Sequence, residues 1–251
     1  MVTVAMVPKV LLKVRRFGRI LVYTFSMYFV THLIVFFFLF PIGTPLIMVD
    51  HNKGYRIKKS VTGLLFAIIG QRLKVDGLEN LEPGKPYLVV SNYPGSYAGL
   101  ALMNVFPEAS ILVHSFLSRV PLVDFLLTST GAAFVQQKRF GATKRALDES
   151  LKHAADRSMI ILPEGGRSPD GRIRAFRRGF IYALRHSSMD LLPVTLSGFH
   201  RLKPIKRAYL DPDADLQMII HKPVNSSLLQ SLNDEVLLRL TIDTIRRDYR
   251  P

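Results

Sequence analysis

The chain has 251 residues, enough for one sizeable α/β domain with a terminal appendage. It contains no cysteine, which excludes disulfides, a cysteine nucleophile and thiolate metal sites. Its formal net charge of +15 indicates an anionic partner, which can be nucleic acid, anionic lipid or a phosphorylated substrate.

The N-terminal part combines a basic start with a long apolar block. Residues 1–19 contain five basic residues and no acidic one, and residues 20–49 contain no Asp, Glu, Lys or Arg. Residues 21–40 (LVYTFSMYFVTHLIVFFFLF) are long enough to cross a hydrocarbon core, which takes roughly 20 residues. A secretory signal peptide is disfavoured because the block is too long and ends in PIGTP. A buried core helix is disfavoured because Phe36, Phe37 and Phe38 leave no polar face.

We therefore expect residues 1–50 to form a basic N-terminus with a membrane anchor. Positive charge flanks the apolar block on both sides, so orientation is not fixed. A single span and a re-entrant hairpin broken at Pro41, Gly43 and Pro45 both fit the pattern. Basic residues beside an apolar anchor typically meet anionic headgroups, so we expect membrane lipids as partners and no nucleic acid.

Residues 51–251 are expected to form one α/β domain with a mixed, largely parallel sheet covered by helices. Short apolar runs, each as long as a buried strand, alternate with stretches of helical spacing. The predicted strands are 87–90, 111–113, 132–135, 159–162, 191–196 and 218–220. The predicted helices are 57–70, 142–155, 178–186 and 228–246.

The segment 161–179 (ILPEGGRSPDGRIRAFRRG) carries the clearest functional signal, because a predicted strand runs directly into a tight turn. Open α/β sheets place ligands at such strand ends. Gly165 and Gly166 let the backbone approach a ligand, and the Arg167 guanidinium offers a fork of donors suited to phosphate oxygens. A surface turn in which Glu164 pairs with Arg167 explains the same residues, so the turn alone does not decide.

This turn resembles the phosphate-binding motif F-P-E-G-T-R-S of the glycerol-phosphate and lysophosphatidic-acid acyltransferases. Residues 73–96 are similar to the family's first strand and first motif, 134–151 occupy the place of its second motif, and 191–198 (LLPVTLSG) resemble its fourth. The resemblance implies that the substrate phosphate is bound by Glu164, Gly165, Gly166, Arg167, Ser168, Lys138 and Arg139. It implies that Asn92 and Ser96 orient the acceptor.

The same resemblance implies a membrane-associated acyltransferase of phospholipid biosynthesis, at the cytoplasmic face of the inner or plasma membrane. An acyl group would pass from acyl-CoA or acyl-carrier protein, acting as a co-substrate, to a glycerophospholipid precursor or related lipid. No bound cofactor and no metal are implied. The resemblance indicates neither the acyl length nor the oligomeric state.

The family's first motif is Asn-His, then four residues, then Asp; the histidine deprotonates the acceptor hydroxyl and the aspartate holds the imidazole. Here Tyr93 follows Asn92, and Ala98 occupies the aspartate position, or Gly99 if one residue is inserted. A tyrosine with an ordinary pKa near 10 is protonated at neutral pH and is a poor base.

Several accounts of the missing base are open. His114, at the end of a predicted strand, is a candidate base, and His200, after the fourth motif, is a weaker one. Tyr93 with a lowered pKa beside Lys138 is another. We therefore carry two hypotheses: a membrane-associated acyltransferase, or a catalytically inactive relative that binds a lipid or a partner protein at the membrane.

Overall fold

The computed structural model describes residues 6–34, 51–95, 97–114, 132–135, 140–153, 157–207 and 209–251. Within these residues, the strands are β1 Leu73–Asp76, β2 Tyr87–Ser91, β3 Ser110–His114, β4 Ala133–Val135, β5 Met159–Ile161, β6 Asp190–Ser197 and β7 Leu216–Ile220. The helices are α1 Met6–Ile34, α2 His51–Ile68, α3 Ala98–Val105, α4 Phe140–His153, α5 Gly179–Arg185, α6 Phe199–Leu202, α7 Ser226–Ser231 and α8 Asp234–Arg247. A 3₁₀ turn spans Leu78–Asn80.

The strands form one sheet in the order β1-β7-β6-β2-β5-β3-β4. Every neighbouring pair is parallel except β6 and β7. The predicted α/β fold with a mixed, largely parallel sheet is therefore confirmed, and each of the six predicted strands is present. The strand β1 had been indicated only by the family resemblance.

Two apolar layers enclose the sheet, because successive side chains of a strand point to opposite faces. Val89 of β2 belongs to one layer, with Leu102 of α3 and Phe199 of α6. Leu88, its neighbour, belongs to the other layer, with helices α5, α7 and α8. Burial on both faces explains why the central strands are continuous apolar runs rather than alternating patterns.

The N-terminal helix differs from the predicted span. It begins at Met6 and so includes the basic residues, and Arg16 and Arg19 form ion pairs with Asp211 and Asp213 at 3.4 and 2.8 Å. Of the helices in the described ranges, none has both the length and the apolar character needed to cross a membrane. Residues 35–50, which include the predicted break at Pro41, Gly43 and Pro45, lie outside those ranges.

The prediction of one C-terminal helix over 228–246 is wrong. α7 ends at Ser231 and α8 begins at Asp234. Asn233 separates them as the N-cap of α8, and its side-chain oxygen accepts a hydrogen bond from the backbone of Val236 at 2.9 Å. Both helices nevertheless keep their apolar sides on the same layer, through Leu229 and Leu237.

Candidate functional site

Three loops meet where the parallel strands β6, β2 and β5 end, which we call the carboxyl edge of the sheet. The described residues of these loops are 92–95 and 97 after β2, 162–178 after β5, and 198–203 after β6, the last of which includes α6. Carboxyl ends of adjacent parallel strands share one edge, where open α/β sheets bind ligands. The first, third and fourth sequence motifs are therefore brought together.

Asn92 joins two of these strands. Its side chain is 1% exposed, and its Nδ2 donates to the carbonyl of Leu196 at 2.9 Å, while the Leu196 amide donates to its Oδ1 at 2.8 Å. This paired contact fixes the end of β2 against β6. The expected role of Asn92 in orienting an acceptor stays a prediction, as does that of Ser96, which lies outside the described residues.

Glu164 fastens the loop after β5 to the loop after β2. Its buried carboxylate accepts from the backbone amide of Tyr93 at 2.7 Å and from that of Arg174 at 3.0 Å. Burial raises the pKa of Glu164, and the two hydrogen bonds oppose that rise. A second link runs from the Ser168 amide to the Tyr93 carbonyl at 3.0 Å. Both oxygens of Glu164 are thus engaged by backbone amides, and its predicted contact with the substrate phosphate stays a prediction.

The predicted tight turn after β5 is present. Gly165 has a φ of 65°, in the left-handed region that favours glycine, and its amide donates to the Leu162 carbonyl at 3.0 Å. A Cβ on Gly166 would lie 3.3 Å from Nη1 of Arg174, so that arginine lies directly over the turn. The Ser168 hydroxyl donates to the Arg172 carbonyl at 2.7 Å and holds the loop closed.

Two cationic side chains act on each other at the carboxyl edge. Burial lowers the pKa of Lys203, which follows α6, and the positive charge of Arg167 lowers it further. The Lys203 ammonium also donates to the Arg207 carbonyl. Positive charge from two side chains at one edge favours binding of an anion there. The other predicted phosphate ligands, Lys138 and Arg139, lie outside the described residues.

The positions of the missing His and Asp carry no base. Burial raises the pKa of Tyr93, and the charge of Arg167 opposes that rise, so the phenol is protonated at neutral pH. The described residues give no support to a Tyr93 with a lowered pKa, and its pairing with Lys138 stays a prediction because Lys138 lies outside them. Ala98 is the first residue of α3 and is fully buried in an apolar cluster. His114 ends β3 at the same edge, and its side chain is outside the described part.

The C-terminal residues, which no motif indicated, also reach this site. The Tyr249 hydroxyl donates to the Gly171 carbonyl in the loop after β5, and the Arg250 amide donates to the Ser197 hydroxyl at 3.0 Å. Burial raises the pKa of Tyr249 to about 12, with smaller contributions from the charges of Glu164 and Asp170. The end of the chain therefore braces the loop that carries Arg167.

Comparisons with known proteins identify the family of this chain. Residues 72–197, about half of the chain, match the model of the Acyltransferase family. The chain belongs to the acyltransferase family. The matched segment contains the loops after β2 and β5 and ends with β6, so the resemblance drawn from the motifs is confirmed.

Individual members of the acyltransferase family are distant in sequence. A 1-acyl-sn-glycerol-3-phosphate acyltransferase of Borreliella burgdorferi is 25% identical over 181 residues, which is 71% of this chain and 72% of that protein. A chloroplastic enzyme of the same description from Arabidopsis thaliana is 25% identical over 65% of this chain. The chain spans only 47% of the length of that plant relative.

The fold of a solved acyltransferase is the same. The crystal structure of the 1-acyl-sn-glycerophosphate acyltransferase PlsC from Thermotoga maritima superposes with a TM-score of 0.79. The superposition covers 92% of this chain and 95% of that one at 21% sequence identity. At this identity the likeness shows the fold alone.

Proposed function

We propose that the protein transfers an acyl group from a thioester to the free hydroxyl of a 1-acylglycerol 3-phosphate or a closely related anionic lipid. The observation that carries this proposal is the glycine turn that bears Arg167 at the carboxyl edge of an acyltransferase fold, fixed to the loop after β2 through Glu164 and Ser168. A phosphate bound by the Arg167 guanidinium gains charge-assisted hydrogen bonds. The relatives named above, described as acting on 1-acyl-sn-glycerol-3-phosphate, support the same acceptor.

The roles of the site residues follow from their contacts. Arg167 supplies a planar fork for two phosphate oxygens, and Lys203 supplies a point charge. Gly165 and Gly166 keep the backbone of the turn open to the ligand, while Glu164 and Ser168 hold the turn against Tyr93. The acyl donor, acyl-CoA or acyl-carrier protein, is a co-substrate that binds and leaves in each turnover.

The proposed location is a membrane surface, at the cytoplasmic face of the inner or plasma membrane where acyl-CoA and acyl-carrier protein occur. The support is α1, whose outer face exposes several large apolar side chains. They are Val14, Phe17, Leu21, Val22, Phe25, Tyr28 and Phe29. A lipid acceptor with one acyl chain is itself held at a membrane surface, so a site beside an apolar helix face matches its substrate.

A catalytically inactive, lipid-binding relative is the alternative. It is favoured by one observation: burial raises the pKa of Tyr93, and Ala98 lies in an apolar cluster, so the family's usual base is absent from its position. Such a protein would bind the phosphate lipid through Arg167 and release no thiol. Both candidate functions therefore predict binding of the phosphate lipid, but only the acyltransferase predicts release of thiol.

Thiol release tests the proposal. Purified protein is supplied with acyl-CoA or acyl-carrier-protein thioester and with 1-acyl-sn-glycerol 3-phosphate, and free thiol is measured. We expect turnover, and we expect Arg167→Ala to lower kcat/KM by about 10- to 100-fold, because a charge-assisted hydrogen bond is worth roughly 1.5–3 kcal/mol. The same variant should show little change with an uncharged monoacylglycerol acceptor.

Arg172→Ala is the matched control, because this arginine lies in the same loop and its side chain is 88% exposed. It should keep the activity of the parent protein. Binding of the phosphate lipid without thiol release from either donor would favour the inactive relative. Equal losses in Arg167→Ala and Arg172→Ala would contradict a specific phosphate contact.

A further inference from the structure

Arg167 and Lys203 supply the positive charge of the proposed site. The family motif leaves no residue that could accept the proton of the acceptor hydroxyl. Tyr93 is protonated at neutral pH, and Ala98 carries no titratable group. A replacement base must lie at the carboxyl edge, close to the loops after β2 and β5. The short helix α6, which follows β6, meets this condition.

α6 packs directly on the loop after β2. A Cβ added to Gly95 would lie only 2.5 Å from the carbonyl oxygen of Phe199, the first residue of α6. Such a close approach of two backbones is possible only because residue 95 is glycine. The backbone of α6 is thus held against the motif that ordinarily carries the catalytic histidine.

The next residue of α6 contacts the loop after β5. A Cβ added to Gly171 would lie 3.0 Å from Cδ2 and 3.6 Å from Nε2 of His200. Gly171 lies in the loop after β5, four residues beyond Arg167, and its carbonyl accepts a hydrogen bond from the Tyr249 hydroxyl. The imidazole of His200 therefore packs against the loop after β5. The backbone of the preceding residue, Phe199, packs against the loop after β2. Lys203, the proposed phosphate ligand, stands three residues beyond His200.

One nitrogen of His200 is not satisfied. Nδ1 is buried, and no group of the described residues forms a hydrogen bond with it. A buried polar atom without a partner costs about 1–3 kcal/mol, so such atoms in native proteins usually have a functional or solvent explanation. An acceptor hydroxyl is a partner of the right kind, because it donates one hydrogen bond to a lone pair.

From this geometry we infer that His200 is the general base of the acyl transfer proposed above. With its proton on Nε2, the imidazole presents the Nδ1 lone pair to the acceptor hydroxyl. Nδ1 takes the hydroxyl proton while the oxygen attacks the thioester carbonyl. The tetrahedral intermediate then collapses, the C–S bond breaks, and the imidazolium returns the proton to the departing thiolate. The products are the diacyl lipid and a free thiol, and the histidine is regenerated.

His200→Ala tests this role against His186→Ala, a control at the other end of the sheet. His186 follows α5, has an exposed side chain and stacks on Tyr182. We expect His200→Ala to lower kcat by about 10²- to 10⁴-fold, the usual contribution of a general base, with little change in either KM. Added imidazole should restore part of the kcat of His200→Ala. It should restore none in Arg167→Ala, where no base is missing.

A second readout does not need turnover. Diethyl pyrocarbonate modifies histidines of the full-length protein, and mass spectrometry follows each site separately. Saturating 1-acyl-sn-glycerol 3-phosphate should slow the modification of His200 and leave that of His186 unchanged. This protection places the imidazole at the acceptor and is not expected of a histidine with only a packing role.

The outcomes separate this inference from the function on which it rests. Turnover by the parent with His200→Ala within threefold of it would overturn the base and leave the acyltransferase standing. Loss of activity without rescue by imidazole, together with unprotected modification, would assign His200 a structural role. Absence of turnover in the parent protein would overturn both proposals.

Discussion

At the scale of single residues, the site depends on groups that position other groups. Glu164 accepts two backbone N–H groups, one from each motif loop, and both of its oxygens are needed for this. Glutamine has the same shape but only one acceptor oxygen, so one of the two amides would face a donor. The choice of glutamate over glutamine is therefore explained by hydrogen-bond complementarity to the backbone.

We expect Glu164→Gln to lower the free energy of unfolding by about 1–3 kcal/mol, the cost of leaving a buried donor unsatisfied. Urea denaturation measures this change, and Glu79→Gln, at an exposed position in a 3₁₀ turn, is the control. The variant should also lose affinity for the phosphate acceptor, because the loop that holds Arg167 then keeps only the Ser168 link to Tyr93. Unchanged stability and affinity would show that the paired hydrogen bonds are not needed.

His221 provides a residue-scale prediction on pH. Its Nε2 lies 2.8 Å from the hydroxyl of Thr195, which itself donates to the Ile245 carbonyl, so His221 is the donor to Thr195. Burial lowers the pKa of His221, Asp248 opposes this effect and Arg247 adds to it. The unfolded chain therefore binds a proton at a higher pH than the folded protein does.

Stability should consequently fall as the pH drops below about 6.5, the ordinary histidine value, and level off below the lowered folded pKa. Each tenfold difference in proton affinity between the two states is worth about 1.4 kcal/mol. His221→Gln keeps a donor for Thr195. It should reduce the dependence of the melting temperature on pH between about pH 8 and pH 5. His186→Gln should keep the pH dependence of the melting temperature seen in the parent protein. An equal pH dependence in both variants would contradict the role of His221.

The residues of the site differ in how far a sequence reveals them. Gly165 and Arg167 belong to a contiguous motif, so the spacing alone predicted the turn and its cation. Lys203 and Tyr249 are separated from that motif by tens of residues, and only the packing of α6 and of the chain end brings them near it. No local pattern encodes such a contact, which is why both were missed.

At the scale of elements, buried strands are predicted well because both faces are covered and the whole run must be apolar. Pro193 in the middle of β6 is the exception that the tertiary structure explains. Its carbonyl accepts from the amide of His221, one residue beyond the end of β7, so Pro193 lies at the last position of the β6–β7 pair. The missing amide of Pro193 therefore falls at the end of that ladder, not inside it.

Helix ends were predicted less well, because they depend on caps and long-range pairs. The break before α8 follows from the Asn233 cap, whereas apolar spacing alone continued across it. The basic residues of α1 form ion pairs with residues almost two hundred positions away. Hydrophobic periodicity contains neither kind of information.

At the scale of the whole molecule, α1 connects the proposed site to the proposed membrane. Its inner face pairs Arg16 with Asp211, and the Leu210 amide donates to the Thr24 hydroxyl at 3.1 Å. Burial raises the pKa of Tyr97, the residue before α3, to about 12, and Tyr28 and Tyr23 of α1 add to this rise. α1 is thus fixed beside the loop after β2, with its exposed apolar face turned outward.

We propose that this exposed face of α1 binds an anionic lipid surface. The exposed residues recur at spacings of three and four, as Val14, Phe17, Leu21 and Phe25 do, so they form one stripe along the helix. The exposed Arg15 lies beside the stripe, and the chain carries a net charge of +15. Apolar burial and attraction to anionic headgroups together favour binding of the helix in the plane of the interface.

Vesicle sedimentation of the full chain tests whether α1 binds anionic lipid. We expect binding to phosphatidylglycerol-containing vesicles, weaker binding to phosphatidylcholine alone, and a decrease in binding when salt is added. Phe17→Ser with Phe25→Ser should lower the partition coefficient by at least about tenfold, since burying one phenylalanine is worth roughly 1.5–3 kcal/mol. The melting temperature should not change, because both side chains are more than half exposed.

Leu228→Ser is the matched control, an exposed apolar residue on α7 rather than on α1. It should bind vesicles as the parent does. If the double variant binds as well as the parent, the stripe on α1 is not the membrane contact. If Leu228→Ser loses as much vesicle binding as the double variant, binding depends on exposed apolar surface in general and not on α1. Loss confined to the double variant, with thiol release retained on a detergent-dispersed acceptor, would place the membrane on α1 and leave the chemistry at the carboxyl edge.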